Sequence, residues 1–290
     1  MEKKRKLNSV FPIIIFIFLI LYIITLFVPF VWTIITSLKD QFEYILTPMG
    51  LPEKLLFKNY LDVISVLYIV VDGTTPVYIP KLFFNGISYA FISSVILIFS
   101  NCLVAYIVSK YKCFVGDIIY ILVVVNMILR VVGTLPSELQ IMRALGFYNN
   151  MLGIYLMKIG FGGTNFLIFY ATFKSISWSY AEAAFVDGAS HYKVLFKIML
   201  PMAKPTFFAL TLMSFITYWN DWQASLVYFP SFPTIAYAVY MFSDAGGGND
   251  VTGVPYIMAA CIIVALPVIV LFAIFKNKIM GTVAIGGLKG

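Results

Sequence analysis

The chain has 290 residues, of which 61% are hydrophobic and 11% charged, with a mean hydropathy of +0.95. A soluble domain carries about a quarter charged residues, so this composition excludes one and places the chain in a bilayer. The net charge of +7 suits an anionic lipid surface, and no nucleic-acid partner is expected; in a membrane protein the placement of basic residues matters more than their sum.

The apolar stretches run for about 20 residues without the alternation of a strand, so they are read as membrane-spanning helices. The first, at about 10–36, follows Lys3, Lys4, Arg5 and Lys6. It exceeds the apolar core of a secretory signal and lacks an A-x-A-like cleavage site, which makes it a retained helix. Residues 37–81, with Pro48, Pro52, Pro76 and Pro80, read as an extramembrane loop with short helices. Further spans are expected at about 83–109, 117–135, 151–173, 205–228 and 254–275, which makes an all-α polytopic protein of six transmembrane helices. Residues 1–9 form an N-terminal extension, 10–290 a single transmembrane domain and 276–290 a tail. With the N-terminus inside, cytoplasmic segments hold thirteen of the twenty basic residues, Lys110, Lys112, Lys174, Lys193, Lys197 and Lys204 among them. The opposite side holds Lys39, Lys54, Lys58, Lys81 and Arg143. The positive-inside rule then puts both termini in the cytoplasm. The stretch Gly246 to Gly248 reads as a loose turn in the last outer loop. Cys102, Cys113 and Cys261 show no repeated spacing, which argues against a disulfide framework, a zinc site or any other metal centre.

The loop 177–204 lies between the fourth and fifth spans and reads as helix, turn, helix. Ser179 with Glu182 three residues on makes a capping box, and Ser177 is an alternative cap. Asp187-Gly188 supplies the stop, Ser190 caps the second helix, and Pro201 marks a break toward the membrane. Ala181, Ala183 and Ala184 together give a surface of little bulk that another protein can approach closely.

Glu182-Ala183-Ala184, three residues, Gly188, nine residues, then Ile198-Met199-Leu200-Pro201 resembles the EAA loop of ABC importer permeases. Pro29-Phe30-Val31-Trp32 through Ser37-Leu38-Lys39, and Trp219-Asn220-Asp221, are similar to stretches of carbohydrate-importer permeases. The terminus Gly286-Gly287-Leu288-Lys289-Gly290 resembles the tail of the maltose-type permease that carries no major sugar site. The resemblance implies the type I ABC importer permease fold in a bacterial cell membrane. It also implies an ATPase-coupling helix over Glu182 to Gly188, with Asp187, Leu200 and Pro201 in the same loop, and a tail (Gly286, Gly287, Lys289, Gly290) that reaches between ATPase subunits. The implied partners are a second permease, two ATPase subunits that bind ATP and Mg, an extracytoplasmic solute-binding protein, a mono- or oligosaccharide and membrane lipid. The loop at 68–81 looks longer than the family's usual form.

The chain has no G-x-x-x-x-G-K-[ST] phosphate loop, so it is not expected to be an enzyme or to hold a cofactor itself. Arg130 falls in the third span, where an arginine faces a partner or water rather than lipid. Asn220 and Asp221, beside Trp219 and Trp222, combine sugar-hydroxyl partners with stacking faces. Arg130, Asn220 and Asp221 are therefore the candidate pathway residues, with structural pairing and an interfacial aromatic belt as alternatives. His191, the one histidine, has no Cys or His neighbours and reads as a surface contact. The alternatives are an ABC permease for a non-sugar solute and an ion-coupled secondary transporter; for the latter, Asp221 is the one acidic residue placed well inside a span.

Overall fold

In the computed structural model, which describes residues 10–111, 114–129, 133–248 and 251–287, the elements follow the hydrophobic runs with several breaks. The first run is α1 (Val10–Ser37), followed by α2 (Gln41–Leu46), capped by the Asp40 carboxylate, and by α3 (Lys58–Val66). A hairpin then pairs β1 (Tyr68–Val71) with β2 (Thr75–Tyr78), from Tyr68↔Tyr78 to Val71↔Thr75. Its turn carries Asp72 at φ 53° and Gly73 at φ 71°, the positive-φ pair that a tight hairpin demands. The second expected span is α4 (Ile79–Lys110), with Pro80 in its first turn, and α5 (Phe114–Ile128) stands where the third was expected.

α6 (Leu135–Ala144), α7 (Met151–Met157) and α8 (Gly163–Ser175) come next. The cytoplasmic loop expected from sequence contains α9 (Ser179–Val186), α10 (His191–Val194), a π-turn at Leu195–Met199 and α11 (Leu200–Met202). The chain closes with α12 (Lys204–Trp219), α13 (Trp222–Val227), α14 (Ile235–Asp244), the paired β3 (Gly247–Gly248) and β4 (Val251–Thr252), and α15 (Val254–Gly287).

Among the described residues three helices are long and apolar enough to cross a bilayer alone, and a fourth if the bent pair His191–Met202 and Lys204–Trp219 counts as one. The other expected spans are altered. The third ends at Ile128 rather than 135, and the fourth breaks between Met157 and Gly163. That break has a physical basis in the run Lys158-Ile159-Gly160-Phe161-Gly162-Gly163, where Gly162 and Gly163 take positive φ. Its backbone groups are met by α4. Ser100 Oγ donates to the Gly160 carbonyl at 2.6 Å, Asn101 Nδ2 donates to it at 3.2 Å, and Asn101 Oδ1 accepts from Gly162 N–H at 2.9 Å. Side-chain rescue of this kind is what lets non-helical backbone persist at membrane depth.

The described chain forms two compact units. One comprises residues up to Leu67 together with Val239–Leu266. Here α1 ends in a buried collar: Asn59 Nδ2 donates to the carbonyls of Ser37 (2.9 Å) and Lys39 (2.8 Å), and the fully buried Lys39 ammonium donates to the Thr47 carbonyl at 2.6 Å. These bonds give a structural reason for the Ser37-Leu38-Lys39 stretch. The Gly246–Gly248 run is not a loose turn. Gly247 takes φ 121° in β3, and a side chain there would collide with the Val251 carbonyl on β4.

The other unit comprises Tyr68–Ala238 and the chain from Pro267. Its core is α4 packed on α8 and α12, with Ile98, Cys102, Phe166, Phe169, Phe173 and Leu210 buried together. Ala181, Val194, Met199 and Ala203 from the loop 177–204 belong to the same cluster. α15 continues helically through Gly287, so the tail expected from 276 is an extension of the last helix over its described part.

Candidate coupling loop and pathway surface

The loop 177–204 is built by its caps. Ser177 Oγ, rather than Ser179, accepts from a backbone N–H, that of Ser179, at 3.3 Å, and Ser179 lies inside α9. Glu182 falls in the first turn, where a carboxylate complements the helix dipole. At the other end Gly188 N–H bonds the Phe185 carbonyl at 3.0 Å and Ala189 N–H bonds the Ala184 carbonyl at 2.9 Å. This is the Schellman arrangement, and it requires the φ of +76° that Gly188 adopts. Ser190 then caps α10 by accepting from Lys193 N–H at 3.4 Å.

The alanines do not share one face. Ala181 is fully buried and Ala184 half-buried, so the low-bulk surface expected from all three reduces to Ala183. Helical spacing explains this, since residues three apart cannot all share a face with their immediate neighbours. Glu182, Ala183, Asp187 and Gly188 are exposed, as are Tyr180 and, at 88%, Val186.

The loop is also clamped to α4. Lys110 Nζ donates to the Ile176 carbonyl, and Tyr111 OH pairs with His191 Nδ1 at 2.9 Å. Tyr111, Trp178, Phe185 and His191 form a run of ring contacts between 4.8 and 6.1 Å. His191, expected as a plain surface contact, is thus a tie between α10 and the end of α4. The exit is different from the one expected: Pro201 lies within α11, and the 71° bend falls at Ala203. Pro201 and Pro205, four residues apart, each withhold a backbone N–H, so the two helices meet between them.

Beyond the bend, Trp219 is buried against Phe83 and Phe215, whereas Asn220 is exposed with its amide bonded back to the Ile216 carbonyl at 2.8 Å. Asp221 works at both oxygens. Oδ1 accepts from Ala224 N–H at 3.0 Å, capping α13, and Oδ2 accepts from Tyr89 OH at 3.1 Å. Lys158, at the break after α7, places its ammonium 4.8 Å from the Tyr218 ring centroid and 5.8 Å from that of Tyr89. Asp221 and Glu138 supply the opposing charge, and Glu138 accepts from Tyr228 OH at 2.7 Å. Lys158, Tyr218, Asp221, Tyr228 and Glu138 are each half-buried.

No family model matches the chain. Over 275 residues it is 24% identical to the diacetylchitobiose uptake system permease protein NgcG of Streptomyces coelicolor, covering 93% of this chain and 87% of that one. The trehalose/maltose transport system permease protein MalG of Thermococcus litoralis is 26% identical over 278 residues, covering 94% of each. The inner membrane ABC transporter permease protein YcjP of Escherichia coli is 26% identical over 275 residues, covering 92% of each. It is an ABC importer permease. A bacterial ABC transporter for import of the acidic polysaccharide alginate has the same fold, with a TM-score of 0.72 at 21% identity over 96% of this chain and 99% of that one.

In this permease, a non-catalytic membrane component of an importer complex, the structure brings Asp221 into a cluster and leaves Asn220 outside its hydrogen bonds. Leu200 is half-buried and Pro201 exposed near the bend. Gly286 and Gly287 lie at the end of α15, while Arg130, Lys289 and Gly290 fall outside the described residues. Sequence reasoning missed Lys158, Glu138, Tyr89, Tyr218 and Tyr228. The signal for Lys158 was present: it is a lone lysine flanking a glycine-rich interruption of an apolar run.

Proposed function

We propose that this permease, with a second and related permease, carries a mono- or oligosaccharide inward, driven by two ATPase subunits and fed by an extracytoplasmic solute-binding protein. The likeness along nearly the whole chain to permeases named for diacetylchitobiose and for trehalose and maltose supports the sugar reading. In this reading the chain crosses the membrane six times with both termini cytoplasmic, α5, the broken α7–α8 pair and the bent α12 each serving as a span. The observation that carries it is α9: a helix closed at its C-terminus by the Gly188 turn, exposed at Glu182, Ala183 and Val186, and rooted by Ala181 in the core of α4, α8 and α12.

Closure of the ATP-bound ATPase pair moves α9 as a rigid piece. The Lys110–Ile176 and Tyr111–His191 bonds pass that motion to α4, and the buried Val194 and Met199 pass it toward α12. α12 ends at Asn220-Asp221, so the pathway surface and the coupling loop lie at opposite ends of one helix. That surface holds two carboxylates against one ammonium among tyrosines. Its charge balance favours an uncharged sugar over an acidic one, and its hydroxyl and carboxylate groups match sugar hydroxyls. The test is purification of the chain from its native membrane with mass spectrometry of its partners, followed by ATPase assay in lipid with sugar and binding protein. Recovery of an ATPase subunit, a second permease and sugar-stimulated hydrolysis is the expected result; a chain that purifies alone and transports without ATP would sink the reading.

A further inference from the structure

The stretch after Ser190 has a surface that the coupling role leaves unused. Tyr192 is 77% exposed and Phe196 47% exposed, while Val194 and Met199 are fully buried. Residues five apart do not share a face of a regular α-helix. Here they do because the Leu200 N–H bonds the Leu195 carbonyl, a π-turn that shifts the register by one residue. Tyr192 and Phe196 are four apart, as are Lys193 and Lys197, and the two pairs run one residue out of step. An aromatic stripe therefore lies beside a basic stripe, both lysines being exposed.

The direction of the segment decides what meets these stripes. His191–Met202 is bent by 71° from Lys204–Trp219. Spanning helices tilt by about 20° on average, so a segment bent this far lies closer to the membrane plane than to its normal. Aromatic rings prefer the headgroup level, and lysines beside them meet anionic phosphates.

We propose that His191–Met202 is an interfacial helix that binds anionic phospholipid of the cytoplasmic leaflet through Tyr192, Phe196, Lys193 and Lys197. The inference takes its cytoplasmic placement from the proposed function. α9 presents Glu182 and Val186 across the Gly188 turn, so the lipid-facing stripe and the partner-facing helix are separate elements on one lever. Lipid charge thereby sets the resting position of α9.

The test uses the full complex in nanodiscs of phosphatidylcholine alone or with a third phosphatidylglycerol. ATPase activity is expected to rise several-fold with phosphatidylglycerol, at about five-fold per lysine in binding terms. Lys193→Gln/Lys197→Gln abolishes that rise. A second reading is independent of activity: Tyr192→Trp adds an emission component that phosphatidylcholine brominated near the headgroup end of its acyl chains quenches. Equal ATPase in both lipids for the unaltered complex, or unquenched added emission, overturns the proposal. Loss of the ATPase subunit from the double-lysine variant in either lipid also overturns it and assigns the stripe to that subunit. If the unaltered chain recovers no ATPase subunit, the importer reading fails, and the quenching experiment on the full chain still decides the lipid contact.

Discussion

Gly188 offers the sharpest test of the coupling loop because its environment isolates a single effect. A Cβ added at this position meets nothing within 4 Å, so an alanine costs no packing. What it costs is backbone: φ is +76°, and an L-residue held in that region loses roughly 1–2 kcal/mol. If the turn stays closed that energy weakens the folded loop. If it opens, the Gly188–Phe185 and Ala189–Ala184 bonds are lost and α10 leaves its register with α9. An equilibrium shifted by roughly 1–2 kcal/mol changes the closed population about 5- to 30-fold. Gly188→Asn, whose side chain tolerates this conformation, is expected to retain most sugar-stimulated ATPase activity. Gly188→Ala falls between, and Gly188→Pro, which fixes φ near −65° and deletes the N–H donor, uncouples hydrolysis from transport or loses the ATPase subunit. The assay is stimulated ATPase in proteoliposomes, with co-purification of the ATPase subunit alongside. Equal activity for the asparagine, alanine and proline variants would falsify the claim that this turn positions the coupling helix.

Glu182→Lys reverses an exposed charge in the first turn of α9, costs the helix roughly 0.3–1 kcal/mol and is expected to weaken ATPase docking, read by co-purification in low and high salt. Asp221→Asn keeps an acceptor for α13 and is expected to leave thermal stability near that of the unaltered chain while lowering transport; Asp221→Ala also removes the cap, worth about 1 kcal/mol, and lowers the unfolding midpoint. Lys158→Met keeps contact with the Tyr89 and Tyr218 rings but leaves two carboxylates without their counter-charge, so transport should drop with assembly intact, and Lys158→Arg should recover it. Unchanged transport by the methionine variant would remove Lys158 from the pathway surface. Asn101→Leu leaves the Gly162 N–H unpaired at about 1–3 kcal/mol, although Ser100 still serves Gly160. Thermal unfolding in detergent should place the leucine variant well below the unaltered chain, and identical midpoints would count against the proposed rescue of the break.

Periodicity and punctuation made much of this architecture legible. The apolar runs located α1, α4 and the start of α15, and Gly188 and Ser190 act as the stop and cap that their residue types suggest. Hydropathy failed where neighbours overrode it. The run at 151–173 is largely apolar, yet it breaks at its glycine-rich interruption, where Ser100 and Asn101, some sixty residues earlier, satisfy the Gly160 carbonyl and the Gly162 N–H. The hairpin at Tyr68–Tyr78 carried an Asp72-Gly73 signal that the proline-rich context obscured. The cluster around Lys158 was hidden for another reason: Tyr89, Glu138, Lys158 and Asp221 come from four separate elements, and no spacing in one chain announces that they meet.

Under the proposed function, the interruptions give a small displacement at α9 a route to Lys158 and Asp221. A straight, continuous helix transmits motion mainly as a rigid rod, so every residue along it moves together. Here the route from α9 passes a glycine turn, a π-turn and a 71° bend before entering α12, and α12 stops at Asn220-Asp221. On the pathway side Lys158 occupies the break between α7 and α8, and its ammonium rests on rings carried by α4 and α12. The same α4 holds that break closed through Ser100 and Asn101 and is tied to the coupling loop through Lys110. In the proposed cycle α4 is therefore the shared strut: a force applied at α9 loads α4 and α12 together, and the Lys158–Tyr89–Tyr218–Asp221 surface is where a relative shift between those two helices has to be accommodated. Cation–ring contacts suit that position, since they tolerate sliding better than a bidentate ion pair with fixed geometry.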